Sequence, residues 1–301
     1  MEIKEVLDFL TEQKDHFEYT GNEAARITCI SSLNNIKINA LCWIKNENYL
    51  NDRLIKELKD SEAVVVTPFV IDGVSCILTK YPKATYFSIL DKFFSNCFKH
   101  TVSETATVFA ERIGNNVHIG SNCFINRDVS IGDNTVIYPN VSILCPCKIG
   151  DNCIIFSGAV IGADGFGYYY DDRGLPVKVG HFGGVQIGSR VEIGANTCID
   201  RGTIGNTIIC DDVKIDNLVH IAHNTVLEKG SVIIAGSIIC GSAVIGQRGY
   251  VAPGAIIKNQ ISIGSDALVG LGAIVTKNVD NNMVVVGIPA KPMRAVRKGD
   301  K

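Results

Sequence analysis

The sequence predicts a mainly β protein in which a parallel β-helix follows a small α/β domain. Three observations lead to this prediction. An aliphatic residue returns at every sixth position from Ile113 to Val275, glycine often follows it, and the first hundred residues lack the pattern. A period of six fits neither a helix of 3.6 residues per turn nor a long strand with a period of two. It fits a short strand and a turn, repeated many times.

The repeat residues keep one frame, which breaks after Ile161, resumes at Ile187 and slips across residues 203–207. Its members are Ile113, Ile119, Ile125, Ile131, Ile137, Ile143, Ile149, Ile155, Ile161, Ile187, Ile193, Ile199, Ile209, Ile215, Ile221, Leu227, Ile233, Ile239, Ile245, Val251, Ile257, Ile263, Val269 and Val275. Three hexads predict one triangular coil, and stacked coils would bury these side chains. Each buried side chain is worth about 1.5–3 kcal/mol before the cost of chain entropy.

Glycine follows many of the repeat residues, at Gly114, Gly120, Gly132, Gly150, Gly188, Gly194, Gly246 and Gly264. We expect glycine there because a sharp corner of the coil favours a residue without a Cβ.

The chain is expected to contain three segments. Residues 1–100 are predicted to form the α/β domain, residues 101–290 the β-helix, and residues 291–301 a basic tail. Within the first segment, hydrophobic patterning predicts helices near residues 4–13, 49–58 and 84–94, and strands near 25–30, 40–44, 63–67 and 75–79.

Composition excludes several classes of protein. A net charge of −2 over 301 residues argues against nucleic acid as a partner. A membrane-spanning helix needs an apolar run of about 18 residues or more. The sequence contains no run of that length, so we expect no membrane insertion. Its opening stretch, MEIKEVLDFLTEQKD, reads as an acidic amphipathic helix, which is unlike a secretory signal.

The eleven cysteines are scattered and odd in number, which is typical of a reducing compartment and predicts a cytoplasmic protein. Several occupy hexads, where cysteine acts as a small apolar residue. The pair Cys145 and Cys147 has a spacing that is poor for zinc. We therefore expect no bound metal.

The hexads resemble those of the hexapeptide-repeat acyltransferases, whose coils form a left-handed β-helix. The left hand is implied by this resemblance, because the general rule for parallel crossovers favours the right hand. The resemblance also implies a homotrimer with active sites between neighbouring subunits.

Several motifs narrow the resemblance to LpxD, the N-acyltransferase family of lipid A biosynthesis. The stretch ALCWIKNENY, residues 40–49, is similar to that family's N-terminal nucleotide-binding domain. Trp43 and Tyr49 match the two aromatics that sandwich the uracil, with tryptophan where phenylalanine is usual. Base stacking on an aromatic ring is worth about 1–3 kcal/mol. The alternative is that Trp43 belongs to the core of a small domain.

The interruption of the frame begins with GADGFGY, residues 162–168, which closely resembles a GxDGFGY motif of LpxD. A long excursion from a regular scaffold is usually functional. We expect Asp164, Phe166 and Tyr168 to contact the nucleotide sugar, with the two rings closing over a sugar or an acyl chain. The alternative is a loop that only packs on the coils.

The candidate base is His223. The runs VEIGANTCIDRG, residues 191–202, and IDNLVHIAHN, residues 215–224, resemble LpxD at nearly every position. The resemblance implies that His223 is the general base, that Asp216 orients its ring and that Asn224 contacts the sugar. The free pKa of histidine is near neutral, which suits it to take a proton from an attacking amine. We expect a backbone N–H near Gly236 to stabilise the oxyanion.

Two departures from LpxD bear on the acyl donor. Gln260 stands where that family has a second functional histidine, and the chain ends at Lys301 without the family's helical extension. The ending instead resembles that of CoA-dependent hexapeptide acetyltransferases. This resemblance implies that Lys291 and Arg294, followed by Arg297 and Lys298, approach the phosphates of CoA.

These observations predict an N-acyltransferase that moves an acyl group, such as a 3-hydroxyacyl group, from acyl-CoA to the amine of a UDP- or dTDP-linked sugar for a surface glycan. The thioester is a co-substrate, and no tightly bound cofactor is expected. The alternative is LpxD itself, which acylates UDP-3-O-(3-hydroxyacyl)glucosamine from acyl carrier protein in lipid A biosynthesis.

Two other classes stay open. The same solenoid supports γ-type carbonic anhydrases, in which three histidines bind zinc between subunits. Six histidines are present, but only His220 and His223 are close in sequence. A purely structural trimer is the other alternative, and the two LpxD-like motifs disfavour it.

Overall fold

The structure is a computed structural model. It describes residues 1–94, 101–144, 146–297 and 299–300. The chain divides into two compact units, Met1–Cys97 and Phe98–Lys301. The expected boundary at residue 100 lies outside the described residues, as do Cys145 and Lys298.

The first unit is a five-stranded sheet with helices on both faces. Its helices are α1 (Ile3–Glu12), α2 (Asp52–Asp60) and α3 (Pro82–Phe93), with a short 3-10 turn at Glu47–Tyr49. Its strands are β1 (Glu18–Thr20), β2 (Cys29–Ile30), β3 (Ala40–Trp43), β4 (Val64–Thr67) and β5 (Ser75–Leu78). The strand order is β1-β5-β4-β3-β2, and only β1 runs antiparallel to its neighbour. All three helices and four of the strands were expected, whereas β1 was not.

Strand β4 shows why the unit has three layers. Its four residues are all buried, as expected for a strand covered on both faces. Val64 and Val66 pack with residues of α1 and α3, whereas Val65 packs with Leu54 and Leu58 of α2. Successive side chains of a strand point to opposite faces, so this alternation assigns α2 to the face opposite the other two helices.

The second unit is a parallel β-helix with three sheets. The first sheet contains β7 (Arg112–Ile113), β10 (Val129–Ile131), β13 (Cys147–Ile149), β18 (Val185–Ile187), β21 (Thr207–Ile209), β24 (Val226–Leu227), β27 (Val244–Ile245) and β30 (Ser262–Ile263). The second contains β8 (His118–Ile119), β11 (Val136–Ile137), β14 (Ile154–Ile155), β19 (Glu192–Ile193), β22 (Lys214–Ile215), β25 (Val232–Ile233), β28 (Tyr250–Val251), β31 (Leu268–Val269), β33 (Met283–Val286) and β34 (Lys291–Ala295). The third contains β6 (Thr107–Val108), β9 (Phe124–Ile125), β12 (Ser142–Ile143), β15 (Val160–Ala163), β20 (Cys198–Asp200), β23 (His220–Ile221), β26 (Ile238–Ile239), β29 (Ile256–Ile257) and β32 (Ile274–Val275).

The repeat residues form the core of this unit, as predicted. Ile131, Ile149, Ile187 and Ile209 are in direct register on successive coils, and all are buried. Ile113 is the exception, because its side chain is 39% exposed. Its strand lies at the end of the first sheet, so a neighbouring coil covers it on one side only.

The structure shows why residues without a Cβ follow the repeat residues. They are not the left-handed residues of the corners, since a positive φ occurs two residues later, as at Asn116 (φ 54°) and Asn134 (φ 56°). Asparagine tolerates that conformation. Gly132 is needed for close packing, because a Cβ there would lie 2.6–2.7 Å from the backbone of Gly150 on the next coil.

The interruption of the frame leaves the solenoid as a hairpin. Strands β16 (Tyr168–Tyr170) and β17 (Pro176–Lys178) pair antiparallel, and the chain rejoins the first sheet at β18. The predicted basic tail also contains regular structure, because β34 pairs antiparallel with β33.

In the part of the chain that the structure describes, no helix has the length and apolar character needed to cross a membrane. The nine cysteines among those residues are free thiols. The cytoplasmic location stays a prediction.

Candidate active site

His223 lies at a corner of the solenoid, two residues after the end of β23 and before the left-handed residue Asn224 (φ 61°). Its Nδ1 is 3.0 Å from Asn224 Oδ1. That oxygen also accepts hydrogen bonds of 2.9 Å from the backbone N–H and the hydroxyl of Thr203. A backbone N–H can only donate, so the Asn224 atom is an oxygen and Nδ1 of His223 must carry the hydrogen. The lone pair of the neutral ring is therefore on Nε2.

Gly241 lies beside His223 on the next coil of the solenoid. A Cβ at Gly241 would lie 2.8 Å from both Cε1 and Nε2 of His223. The Gly241 N–H has no acceptor among the described residues. A free backbone donor therefore stands close to the atom of His223 that can accept a proton.

A cavity of about 400 Å³ opens beside His223. Its lining consists of Phe166, Asp200, His220, Ala222, His223, Cys240, Gly241, Ser242, Asn259 and Gln260. Burial raises the pKa of the Cys240 thiol, which keeps this sulfur protonated near neutral pH. The cavity therefore combines an aromatic ring, two histidines and a carboxyl group with the Gly241 N–H.

Asp200 is the most deeply buried charged group of this cavity. It lies on β20, and its Oδ2 is 3.7 Å from Nε2 of His220 on β23. Burial raises the pKa of the Asp200 carboxyl, while His220 and then His223 act in the opposite direction. Burial is the largest of these effects, so the carboxylate is held in an environment that disfavours its charge.

The loop after β15 packs closely against His223 at Gly165. A Cβ at Gly165 would lie 2.7 Å from Cδ2 of His223 and 2.8 Å from Nε2 of His181. His181 and His223 meet edge to face, with ring centroids 5.3 Å apart. The glycine is therefore required because two imidazoles occupy the space of a side chain.

The predicted sugar-binding residues of this loop have different surroundings in the structure. Phe166 lines the cavity and contacts Tyr168, with ring centroids 4.8 Å apart. Asp164 does not line the cavity and instead pairs with Lys178 Nζ at 2.9 Å. This hydrogen bond lowers the pKa of Asp164.

The structure bears on three predicted roles near His223. Asp216 does not orient the ring, because its carboxylate accepts from the backbone N–H groups of Asn217 and Ala235 at a different corner. Gly236 (φ 70°) lies at that same corner and is not beside His223. The side-chain oxygen of Asn224 accepts from His223 and Thr203, and the predicted contact of Asn224 with the sugar stays a prediction.

One of the two predicted donor-binding cations, Arg294, differs from expectation. Arg294 forms a two-point ion pair with Asp300, at 2.5 and 2.8 Å. This pairing lowers the pKa of Asp300 and compensates the charge of Arg294. Lys291 is exposed at the start of β34.

The carbonic anhydrase alternative gains no support from the arrangement of side chains. Within residues 1–94, 101–144, 146–297 and 299–300, no three histidine, cysteine, aspartate or glutamate residues are placed to hold a metal ion. His181, the nearest third histidine, donates through Nδ1 to the carbonyl of Val179 at 3.1 Å, and its Nε2 is buried without a partner.

The first unit has a separate cavity of about 1020 Å³. Trp43 and Tyr49 both line it, as the resemblance implied, together with Tyr86 and Phe87. Trp43 packs on Tyr86 with ring centroids 6.3 Å apart. One part of the tryptophan therefore contacts the core while another faces the cavity, so the core and binding alternatives are not exclusive.

Four members of the site were not predicted from the sequence, namely Thr203, Asp200, His181 and Gly241. The spacing of three hexads between coils was a usable signal for Gly241, since it places this residue beside His223. No comparable signal identified Thr203 or His181, which lie in or next to irregular segments.

Comparisons with known proteins agree with the hexad pattern and the fold. Residues 128–163 match the family model described as bacterial transferase hexapeptide (six repeats). The structure of LpxA, a UDP-N-acetylglucosamine acyltransferase from Bacteroides fragilis, aligns with a TM-score of 0.59 and 25% identity over 65% of this chain and 74% of that one. LpxA from Moraxella catarrhalis aligns with a TM-score of 0.59 and 24% identity over 66% and 76%. The expected left-handed parallel β-helix is thereby confirmed.

Relatives in sequence carry one recurring name. A probable UDP-3-O-acylglucosamine N-acyltransferase 2, mitochondrial, from Arabidopsis thaliana is 45% identical over 154 residues, which cover 50% of this chain and 50% of that protein. The UDP-3-O-acylglucosamine N-acyltransferase of Bordetella avium is 47% identical over 126 residues, 41% of this chain and 35% of that protein. The aligned part spans half or less of the length of these relatives.

Proposed function

We propose that the protein is an N-acyltransferase that moves an acyl group from a thioester to the amine of a UDP-linked 3-O-acylglucosamine. The observation that carries this proposal is the hydrogen bond from His223 Nδ1 to Asn224, which leaves Nε2 as a proton acceptor beside a free backbone N–H. Relatives named for this reaction support the acceptor. They favour the lipid A alternative over a dTDP-linked sugar.

His223 acts as the general base in this proposal. The nitrogen of the sugar attacks the thioester carbonyl, and Nε2 of His223 takes the proton that the nitrogen loses. When the tetrahedral intermediate collapses, the same proton passes to the leaving thiolate. Such acid–base catalysis is worth about 10²–10⁴-fold in rate.

The Gly241 N–H is the proposed donor to the oxyanion. It lies near Nε2 of His223, so one substrate carbon can be within reach of both groups. A preorganised donor of this kind is worth about 10²–10³-fold in turnover, since it meets charge that develops only in the transition state.

The cavity of the first unit is the proposed nucleotide site. Its volume of about 1020 Å³ is at the upper end of the range for small-molecule sites. Trp43 and Tyr49 offer flat faces for a pyrimidine, and Lys45 in the lining offers positive charge for phosphates, whereas Arg53 is paired with Glu57 at 2.8 Å.

The donor is proposed to be a phosphopantetheine thioester, the group that acyl-CoA and acyl carrier protein share. The pairing of Arg294 with Asp300 weakens the case for a CoA phosphate site at the end of the chain. We therefore favour acyl carrier protein as the donor, in agreement with the lipid A alternative.

The test is an assay of purified protein with UDP-3-O-(3-hydroxyacyl)glucosamine and either 3-hydroxyacyl carrier protein or 3-hydroxyacyl-CoA. We expect release of the carrier thiol and a new amide with the carrier protein, and a much lower kcat/KM with the CoA ester. Efficient transfer from CoA would restore the first prediction of the donor. No amide from either thioester would refute the proposed function.

The expected homotrimer stays a prediction. Exposed apolar side chains on the solenoid support an interface between copies, among them Phe182, Ile204 and Leu218. Light scattering on the purified protein would test it, and a monomer at the concentration of the assay would contradict it.

A further inference from the structure

Asp200 is a buried carboxylate without a permanent counter-charge. The residue is 6% exposed, and within the described residues no lysine or arginine forms an ion pair with it. Its one charged partner is His220, at 3.7 Å, and that ring is positive only when it is protonated. Burying an unpaired carboxylate is costly, because water stabilises the charge better than the protein does.

The strands around Asp200 direct its carboxyl into the cavity. Asp200 is in register with Ala163 on the preceding coil, and Ala222 on the following coil lines the same cavity. Both neighbours carry only a methyl group, so neither covers the carboxyl. His220 is in register with Cys198, two residues before Asp200 on the same outer face, and it flanks the opening.

We propose that Asp200 and His220 form a subsite for the positively charged amine of the acceptor, in which Asp200 binds the ammonium group and takes its first proton. This inference rests on the proposed function and names a part of the same cavity. The ligand class is a primary ammonium on a sugar ring, held within reach of Nε2 of His223.

The proton balance of N-acylation requires such a group. An amine that titrates near pH 8, as an α-amino group does, is mostly protonated at neutral pH and has no lone pair for attack. The ammonium must lose one proton before the C–N bond forms and a second one before the amide is complete. His223 receives the second proton and returns it to the thiolate, so it is not available for the first.

Asp200 is suited to accept the first proton, because this proton transfer removes two charges from a buried environment. The ammonium becomes a free amine and the carboxylate becomes a carboxylic acid, which burial favours. His220, whose side chain is 43% exposed, then connects the acid to solvent. The net reaction releases one proton to water for each amide that is formed.

The charged and titratable groups around Asp200 are consistent with this assignment. They are His220, His223, His181, Asp164 and Cys198. Asp164 is already neutralised by Lys178, so Asp200 is the carboxylate left to meet an incoming cation.

A binding experiment tests the subsite without any acyl transfer. UDP-glucosamine and UDP-glucose differ in this respect only by an amine in place of a hydroxyl group. Calorimetry at pH 7 is expected to show that the wild-type protein binds UDP-glucosamine about tenfold more tightly, as a hydrogen bond between charged groups allows. The isosteric variant Asp200→Asn should lose this preference, and Asp200→Ser should lose it as well if Asp200→Asn folds poorly. The control Asp212→Asn removes a carboxylate paired with Arg190 at another corner and should keep the preference.

A kinetic experiment separates this inference from the proposed function. In Asp200→Asn, kcat/KM should fall about tenfold or more at pH 7 and recover toward the wild-type value at pH 9, where the acceptor arrives as a free amine. If Asp200→Asn keeps both the wild-type preference for UDP-glucosamine and the wild-type dependence of kcat/KM on pH, the subsite is refuted while the proposed function stands. A preference that depends on Asp200, in a protein that forms no amide, would refute the proposed function and keep the subsite.

Discussion

The side-chain oxygen of Asn224 accepts a hydrogen bond from His223 Nδ1 at 3.0 Å and another from the backbone N–H of Thr203 at 2.9 Å. These two contacts together define which nitrogen of the imidazole can accept a proton. The corner residue of the solenoid thus determines the tautomer of the candidate base.

The first prediction concerns His223 itself. His223→Ala should lower kcat by at least about 10²-fold, since the variant has no group to accept the proton of the attacking amine. The melting temperature should change little, because the ring lies outside the aliphatic core. His118→Gln, a substitution of a histidine on the second sheet, is the matched control and should keep its activity. Near-wild-type turnover by His223→Ala would remove His223 from the mechanism.

A second prediction tests the positioning role of Asn224. Asn224→Gly keeps a residue that adopts φ near 61° without strain but removes the acceptor for His223 and Thr203. The ring can then adopt either tautomer, so we expect kcat to fall about tenfold or more while the KM for the acceptor stays nearly constant. Asn140→Gly, at another left-handed corner (φ 63°), serves as the control. A large rise in KM with unchanged kcat would instead indicate that Asn224 contacts the sugar, as the sequence suggested.

Gly241 offers a third test. In Gly241→Ala the new methyl group would lie 2.8 Å from Nε2 of His223, so either the ring or the coil must shift. We expect kcat to fall by about 10²-fold, because both the base and the proposed oxyanion donor are displaced. Gly205→Ala is the control, since a Cβ there meets no atom within 4 Å. Equal turnover in the two variants would show that Gly241 is not part of the site.

The aromatic pair of the first unit gives a fourth prediction. Trp43→Ala and Tyr49→Ala should each weaken UDP binding by about 1–3 kcal/mol, the usual contribution of a base stacked on a ring. Tyr49 is 64% exposed, so its loss should leave folding unchanged. Titration with UDP measures the effect. Tyr81→Ala removes an exposed tyrosine that does not line the cavity and should bind UDP normally. An unchanged affinity of Trp43→Ala for UDP would show that Trp43 has a purely structural role.

The fifth prediction concerns the buried carboxyl group of Asp200 and the dependence of protein stability on pH. Burial raises the folded-state pKa of Asp200 above its unfolded value. The carboxyl group therefore contributes favourably to the free energy of unfolding at low pH, and this contribution is lost as pH rises through the folded pKa. Asp200→Asn should therefore have a melting temperature equal to or above that of the wild type at pH 7. The difference in melting temperature between the variant and the wild type should shrink below pH 4, near the unfolded pKa of about 3.9. A clearly lower melting temperature at pH 7 would show that the carboxylate stabilises the fold.

Most of the solenoid could be predicted from sequence because its information is local. A hexad specifies a strand by its aliphatic residue, and neighbouring coils repeat the same pattern, so the core of residues such as Ile131 and Ile193 follows directly. The glycines were expected because a sharp corner favours a residue without a Cβ, and the structure shows the close contact between coils that a Cβ would meet. The left-handed conformation of many corners is adopted by asparagine, which was not predicted from the sequence.

The candidate base, the two aromatics of the first cavity and Phe166 were found by resemblance of short motifs. The partners of His223 were not. Asp216 was expected to orient the ring because it matches an aspartate of the family that the motif resembles, yet its carboxylate accepts a hydrogen bond at a different corner of the solenoid. Arg294 was expected to be available to a ligand, whereas Asp300 follows it closely along the chain and pairs with it.

The period, the identity of the core and the position of His223 at a corner follow from the sequence alone, because each depends on residues within one or two hexads. The surroundings of that corner depend on the tertiary structure. His181 and Gly165 contact His223 from an irregular segment between coils, and Thr203 binds Asn224 from another. Asp200 approaches His220 across a spacing longer than the three hexads of a regular coil. A period cannot specify such contacts, because they form where the chain departs from it.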